Sequence, residues 1–109
     1  MTTLTRTRTH ETYGEYGVTL LAVTGPHGAT ATRVVTDSGY LASVSVAYCT
    51  PTELPGLHLT DSCPIHGGTC WGDAYGGPVH AAVADAWRRG GDEYAFAALE
   101  ELYRREFSA

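Results

Sequence analysis

The sequence predicts an α+β fold: a three-stranded antiparallel meander, an irregular loop ordered by zinc, and a C-terminal αα-hairpin packed on the sheet. Three observations predict it. Between residues 16 and 49, runs rich in Val, Thr, Leu and Tyr are broken by glycine-containing turns. From Pro78 onward the apolar residues recur at helical spacing. Between these parts, residues 50–78 follow neither period and hold every proline except Pro26.

The first strand spans Tyr16–Thr24 and carries Val18, Leu20, Leu21 and Val23. Gly25-Pro26-His27-Gly28 then reads as a turn, because proline presets φ and glycine accepts strained backbone. Ala29–Thr36 is the second strand, rich in the Thr and Val that fit a pleated surface. Asp37-Ser38-Gly39 is a short hairpin loop with glycine at the left-handed position. In the third strand Tyr40, Ala42, Val44, Val46 and Tyr48 share one face, and Ser43, Ser45 and Cys49 the other. Strict alternation signals an antiparallel strand with one buried face.

Helical periodicity begins at Pro78, a residue suited to a first helical position. Val79, Val83 and Trp87 form a stripe at four-residue steps, and Gly90-Gly91 stops the helix. Asp92 is a good N-cap for a second helix whose apolar face is Phe96, Leu99, Leu102, Tyr103 and Phe107. Glu100 with Arg104, and Glu101 with Arg105, are favourable pairs on its other side. The expected organisation is one domain over residues 1–109. It has a flexible or edge-forming segment at 1–12, a β-meander at 13–49, a Cys/His loop at 50–78 and a helical hairpin at 79–107.

Composition narrows the function. A net charge of −5 argues against direct nucleic-acid binding, since phosphate contacts need a basic stripe. Arg6 with Arg8 and Arg88 with Arg89 are too few to make one. No apolar run reaches the ~20 residues that cross a bilayer. The first eight residues lack the apolar segment of a signal peptide, so a cytoplasmic protein is expected. All 7 basic residues are Arg, and Lys, Asn and Gln are absent, a bias that looks like a high-GC genome or a phage or mobile element of such a host.

A loop near thirty residues long inside a compact domain needs something to order it. Cys63-Pro64-Ile65-His66-Gly67-Gly68-Thr69-Cys70 puts two thiols and an imidazole within one tight turn, and Cys49 adds a third thiol upstream. Three cysteines and a histidine complete a closed tetrahedral zinc site, which is structural because no position stays open. The expected ligands are Cys49, Cys63, His66 and Cys70, with His58 as the substitute. Cys63-Pro64-Ile65-His66-Gly67 also resembles the C-P-x-C-G knuckle of zinc-ribbon and rubredoxin-like sites, with His66 in place of the second cysteine. That resemblance covers about eight residues. No second knuckle repeats it, so the ribbon fold does not carry over.

Other readings of these thiols stay open. Cys49 can be a small buried hydrophobe, with Cys63 and Cys70 incidental loop thiols. A Cys63–Cys70 disulfide would need oxidising conditions. A nucleophilic Cys63 would need His66 as its base, with Asp61 or Asp73 nearby, and closeness in sequence is weak support for such a pair. The glycine-rich run that follows, Cys70 to Gly77, carries Trp71, Asp73 and Tyr75. Aromatics there either pack over a metal loop or form the anchors of a protein interface. No phosphate loop is present, since the chain has no Lys. His10 and His27 read as surface polar residues, and His80 as a residue at the edge of the helical stripe.

The function expected from these features is a small non-catalytic protein-binding module stapled by a structural zinc, an inhibitor or adaptor that is a monomer or homodimer. Its partner-binding residues would be Trp71, Asp73 and Tyr75. The alternatives are a thiol- or metal-dependent enzyme using Cys63 and His66, and a nucleic-acid-associated zinc protein.

Overall fold

The computed structural model describes residues 3–35, 40–49, 63, 67, 70–73 and 78–107. It is a mixed α+β structure. Four antiparallel strands, β1 (Thr5–Tyr13), β2 (Tyr16–Gly25), β3 (Gly28–Val35) and β4 (Tyr40–Ala47), lie side by side in chain order. A three-residue strand, β5 (Trp71–Asp73), pairs antiparallel with β4 at the far edge. One C-terminal helix, α1 (Pro78–Glu106), packs on β2, β3 and β4.

The sheet is larger than the three expected strands. Residues 5–13, expected to be flexible or a short edge, form a nine-residue strand paired with β2 from Thr5↔Thr24 to Tyr13↔Tyr16. Its alternation is of Thr against Arg and His rather than apolar against polar, which hides it from a reading of hydrophobic period. The register explains the pattern. Arg6 lies opposite Val23 and Arg8 opposite Leu21, so both arginines are on the helix side of the sheet. There Arg6 grips Glu100 through two parallel bonds, of 2.7 and 3.0 Å, and reaches Glu93 at 2.9 Å. Its guanidinium also sits 5.4 Å from the centre of the Phe96 ring. Arg8 bonds Asp92, whose other oxygen takes the Trp87 indole N–H. The carboxyl of Glu100 therefore bonds β1, and it also feels the charge of Arg104, the partner the sequence suggested.

The helical hairpin is also corrected. A single residue, Gly91, breaks the helical path within α1 at φ 71° and ψ −152°, a conformation that only glycine adopts without strain. The chain is helical up to it and again after it, so α1 is two helical segments that meet at a kink at Gly91, where the sequence placed the break, without a longer connecting turn. Its buried side is the expected one. Val83, Phe96, Leu99, Leu102 and Tyr103 join Leu21, Val23, Val34, Val44 and Val46 in one core, with Val79, Trp87 and Phe107 packed at its rim. Leu21, Val23, Val44 and Leu99 are completely buried, and each such side chain contributes about 1.5–3 kcal/mol.

Polar groups on the same face are accounted for. The buried Thr30 hydroxyl donates to the Leu99 carbonyl at 3.2 Å, tying β3 to the helix. Thr32 donates to the Ser43 carbonyl at 2.8 Å. In β4 the expected single buried face is not found: Val44 and Val46 face the helix, Ser45 and Ala47 on the other side are buried too, Tyr48 is exposed, and the register shifts between Arg33 and Val34. The β2–β3 turn is fixed to the helix end. Tyr103 packs where a Gly25 side chain would be, and its hydroxyl accepts the His27 N–H at 2.9 Å. His27 itself is exposed, as expected for a turn. No helix among the described residues is long and apolar enough to cross a membrane.

Candidate metal centre

Three segments meet beside the open end of β4. The pairs Ser45↔Asp73, Val46↔Gly72 and Ala47↔Trp71 define the β4–β5 ladder, and the Tyr48 N–H continues it to the Cys70 carbonyl at 2.9 Å. This places Cys49, just past β4, next to Cys70, just before β5. Cys63 arrives on a turn closed by the Gly67 N–H, which donates to the Cys63 carbonyl at 2.9 Å. Gly67 stands at φ 69°, a left-handed position that suits glycine.

The result is a cluster of three sulfurs. Cys49 Sγ lies 3.2 Å from Cys70 Sγ and 3.3 Å from Cys63 Sγ, and all three atoms fall within 4.8 Å of one another. Cys49, Cys63 and Cys70 are 6, 2 and 9 % exposed and make up a buried cluster separate from the main core. The separations are far longer than the ~2.05 Å of a disulfide. They are shorter than the ~3.8 Å edge of a tetrahedron with 2.3 Å metal–sulfur bonds, so an ion would spread the sulfurs by about half an ångström.

Burial, and then hydrogen bonding to the Cys70 and Cys63 sulfurs, pushes the Cys49 thiol up to about 12. A thiol held protonated in this way is a poor nucleophile. A bound cation reverses the effect by stabilising the thiolates directly. Three close thiols in such a setting could therefore hold a metal ion, and their chemistry fits a soft or borderline one.

Tyr48 joins the cluster to the rest of the fold, and the sequence reading gave it no such role. Its hydroxyl donates to Glu106 at 2.7 Å, and its ring meets Phe107 edge-on at 5.9 Å. Phe107 in turn packs on Tyr103, with ring centres 4.7 Å apart. The available signal was its position, one residue before Cys49 on the helix-facing side of β4.

Of the expected ligands, Cys49, Cys63 and Cys70 are brought together, while His66 and its substitute His58 lie outside the described residues, as does Asp61. Trp71 and Asp73 are the first and last residues of β5, and Tyr75 lies outside the described residues. A pocket of about 70 Å³ lies on the sheet face away from the helix, between Thr9, Glu11, Val18, Leu20 and Arg33. It is well below the ~300 Å³ at which small-molecule sites begin. No protein-family model matches this chain, and no curated protein or solved structure matches it either.

Proposed function

We propose that this chain is a small non-catalytic protein-binding module stapled by a structural zinc ion. Cys49, Cys63 and Cys70 hold the ion, His66 is its fourth ligand, and His58 is the substitute. The observation that carries the reading is the cluster itself: three buried sulfurs from three separate segments, all within 4.8 Å. Clustered thiolates repel unless a cation neutralises them, and Zn²⁺ favours a mixed sulfur and nitrogen set. A reducing, cytoplasmic setting keeps the thiols available for it.

A structural role agrees with the burial of the sulfurs, which disfavours attack on a substrate. What the staple presents is β5. That strand carries Trp71 and Asp73, and Tyr75 follows two residues later in the sequence; aromatic residues of this kind anchor protein interfaces. The partner in this reading is another protein. The finer assignment, an inhibitor or adaptor carried by a phage or mobile element of a high-GC host, rests on the arginine-only basic set and the small size.

The test is capture of interacting proteins from the native host with wild type and with a Trp71→Ala, Tyr75→Ala double variant, both checked for equal metal content. The reading predicts that a specific partner is lost from the double variant. Equal recovery by both proteins would remove this strand from the binding surface.

A further inference from the structure

Among the described residues, the buried hydrophobic side chains form two clusters that do not merge. The sheet–helix core contains Leu21, Val23, Val34, Val44, Phe96 and Leu99, and the second group is the three cysteines alone. The fold of β1–β4 and α1 thus has its own source of stability. β5 joins that fold through β4. It is three residues long, against the five or six of an average strand, and among the described residues it pairs with β4 at the sheet edge. A few edge hydrogen bonds contribute less, net, than the cost of ordering the residues that make them. Something further must hold it, and the residue that enters it is Cys70.

We infer that a thiophilic divalent ion on Cys49, Cys63 and Cys70 governs the docking of β5 on β4 and leaves the main core unchanged. The inference rests on the metal reading proposed above and adds a regulatory consequence. With the ion in place, Cys70 is fixed against Cys49 and the ladder closes through Ala47↔Trp71 and Tyr48 N–H to Cys70 O. With the ion removed, that link is reduced to sulfur contacts and β5 leaves the sheet. The strand carrying Trp71 and Asp73 is then a metal-dependent surface, present in loaded protein and absent in stripped protein.

The experiment is residue-resolved hydrogen exchange on the full chain under reducing conditions, loaded with zinc or stripped by a chelator. A parallel zinc titration reports binding. The expected result is that the amides of Tyr48 and Gly72, which point across the β4–β5 ladder, exchange about tenfold faster or more in stripped protein. The amides of Leu21, Val23 and Leu99, and the helical circular dichroism, should stay unchanged. Cys49→Ser should show the stripped pattern even with zinc present. Zinc uptake with equal β5 protection in both states would overturn the inference and leave the metal site standing. No zinc uptake would remove both. Loss of protection throughout the chain on stripping would show one cooperative unit, and would overturn the inference as well.

Discussion

The sulfur of Cys49 lies 3.2 Å from that of Cys70, although 21 residues separate them in the chain. The β4–β5 register produces this approach, since Ala47 pairs with Trp71 and the next backbone bond runs from Tyr48 to Cys70. The same strand end is held to the helix by the Tyr48 hydroxyl on Glu106. The cluster is therefore anchored on one side by the sheet and helix, and on the other gathers the segments carrying Cys63 and Cys70.

The Tyr48–Glu106 bond gives an alkaline signature. Hydrogen bonding to Glu106, then burial and the nearby negative charge, raises the Tyr48 phenol from the ordinary 10 to about 12. A raised folded value means that the neutral phenol is favoured by folding. Its contribution is complete below pH 10 and is lost as pH rises toward 12. Denaturant titrations across this range should show stability falling in wild type, and Tyr48→Phe should flatten that limb.

At acid pH the Arg6 network should dominate. The fork from Arg6 holds the Glu100 carboxyl below its ordinary 4.5. Stability from this pair is present above pH 4.5 and is lost as the pH falls through the lower folded value. Because Arg6 is partly exposed, Arg6→Ala should cost no more than about 1 kcal/mol at neutral pH, and less in high salt. Arg6→Lys should recover little, because a single ammonium cannot reproduce the two parallel bonds. Chemical denaturation at two pH values and two salt concentrations measures both effects.

Gly91 and Gly90 should behave differently although they are neighbours. Gly91 holds a conformation open to glycine alone, so Gly91→Ala should destabilise by about 1–3 kcal/mol. A side chain at Gly90 would meet the ring of Tyr94, which is exposed and can swing away, so Gly90→Ala should be nearly neutral. Thermal melts of the two variants decide this.

Leu99 is completely buried, and its carbonyl takes the Thr30 hydroxyl. Leu99→Ala should cost about 2–5 kcal/mol. That is a fall of roughly 10 °C or more in Tm for a domain of this size. Cys63→Ser should instead leave the melting of the sheet–helix core close to wild type, because the sulfurs form a separate cluster.

The parts of the fold that follow hydrophobic period were legible in the sequence. The stripes Val79–Val83–Trp87 and Phe96–Leu99–Leu102–Tyr103 do face the core, and the strands from Tyr16 to Ala47 lie close to their expected limits. β1 was legible only as an edge-forming alternative, because its inward positions are Arg6 and Arg8, which reach carboxylates on the helix where an apolar side chain would reach the core. Composition cannot reveal such a partner, since it lies more than eighty residues away. The glycine break was legible, but whether it makes a kink or a turn depends on the packing on each side. The alternation in β4 was overread, since Ser45 and Ala47 are buried too, and the irregularity at Arg33/Val34 leaves no mark in residue type. For the site, spacing brought Cys63 and Cys70 under suspicion, and the meeting with Cys49 needed the β4–β5 register. β5 itself is too short for any periodic signal.

The central claim is that Cys49, Cys63 and Cys70 together bind one metal ion. Its most direct test is metal content and thiol reactivity of the chain purified under reducing conditions, followed by replacement of the bound ion with Co²⁺. The account predicts about one equivalent of zinc, thiols that react slowly until a chelator is added, and a sulfur-to-cobalt charge-transfer band that Cys49→Ser abolishes. Less than about half an equivalent of metal, together with three thiols that react promptly in folded protein, would contradict it.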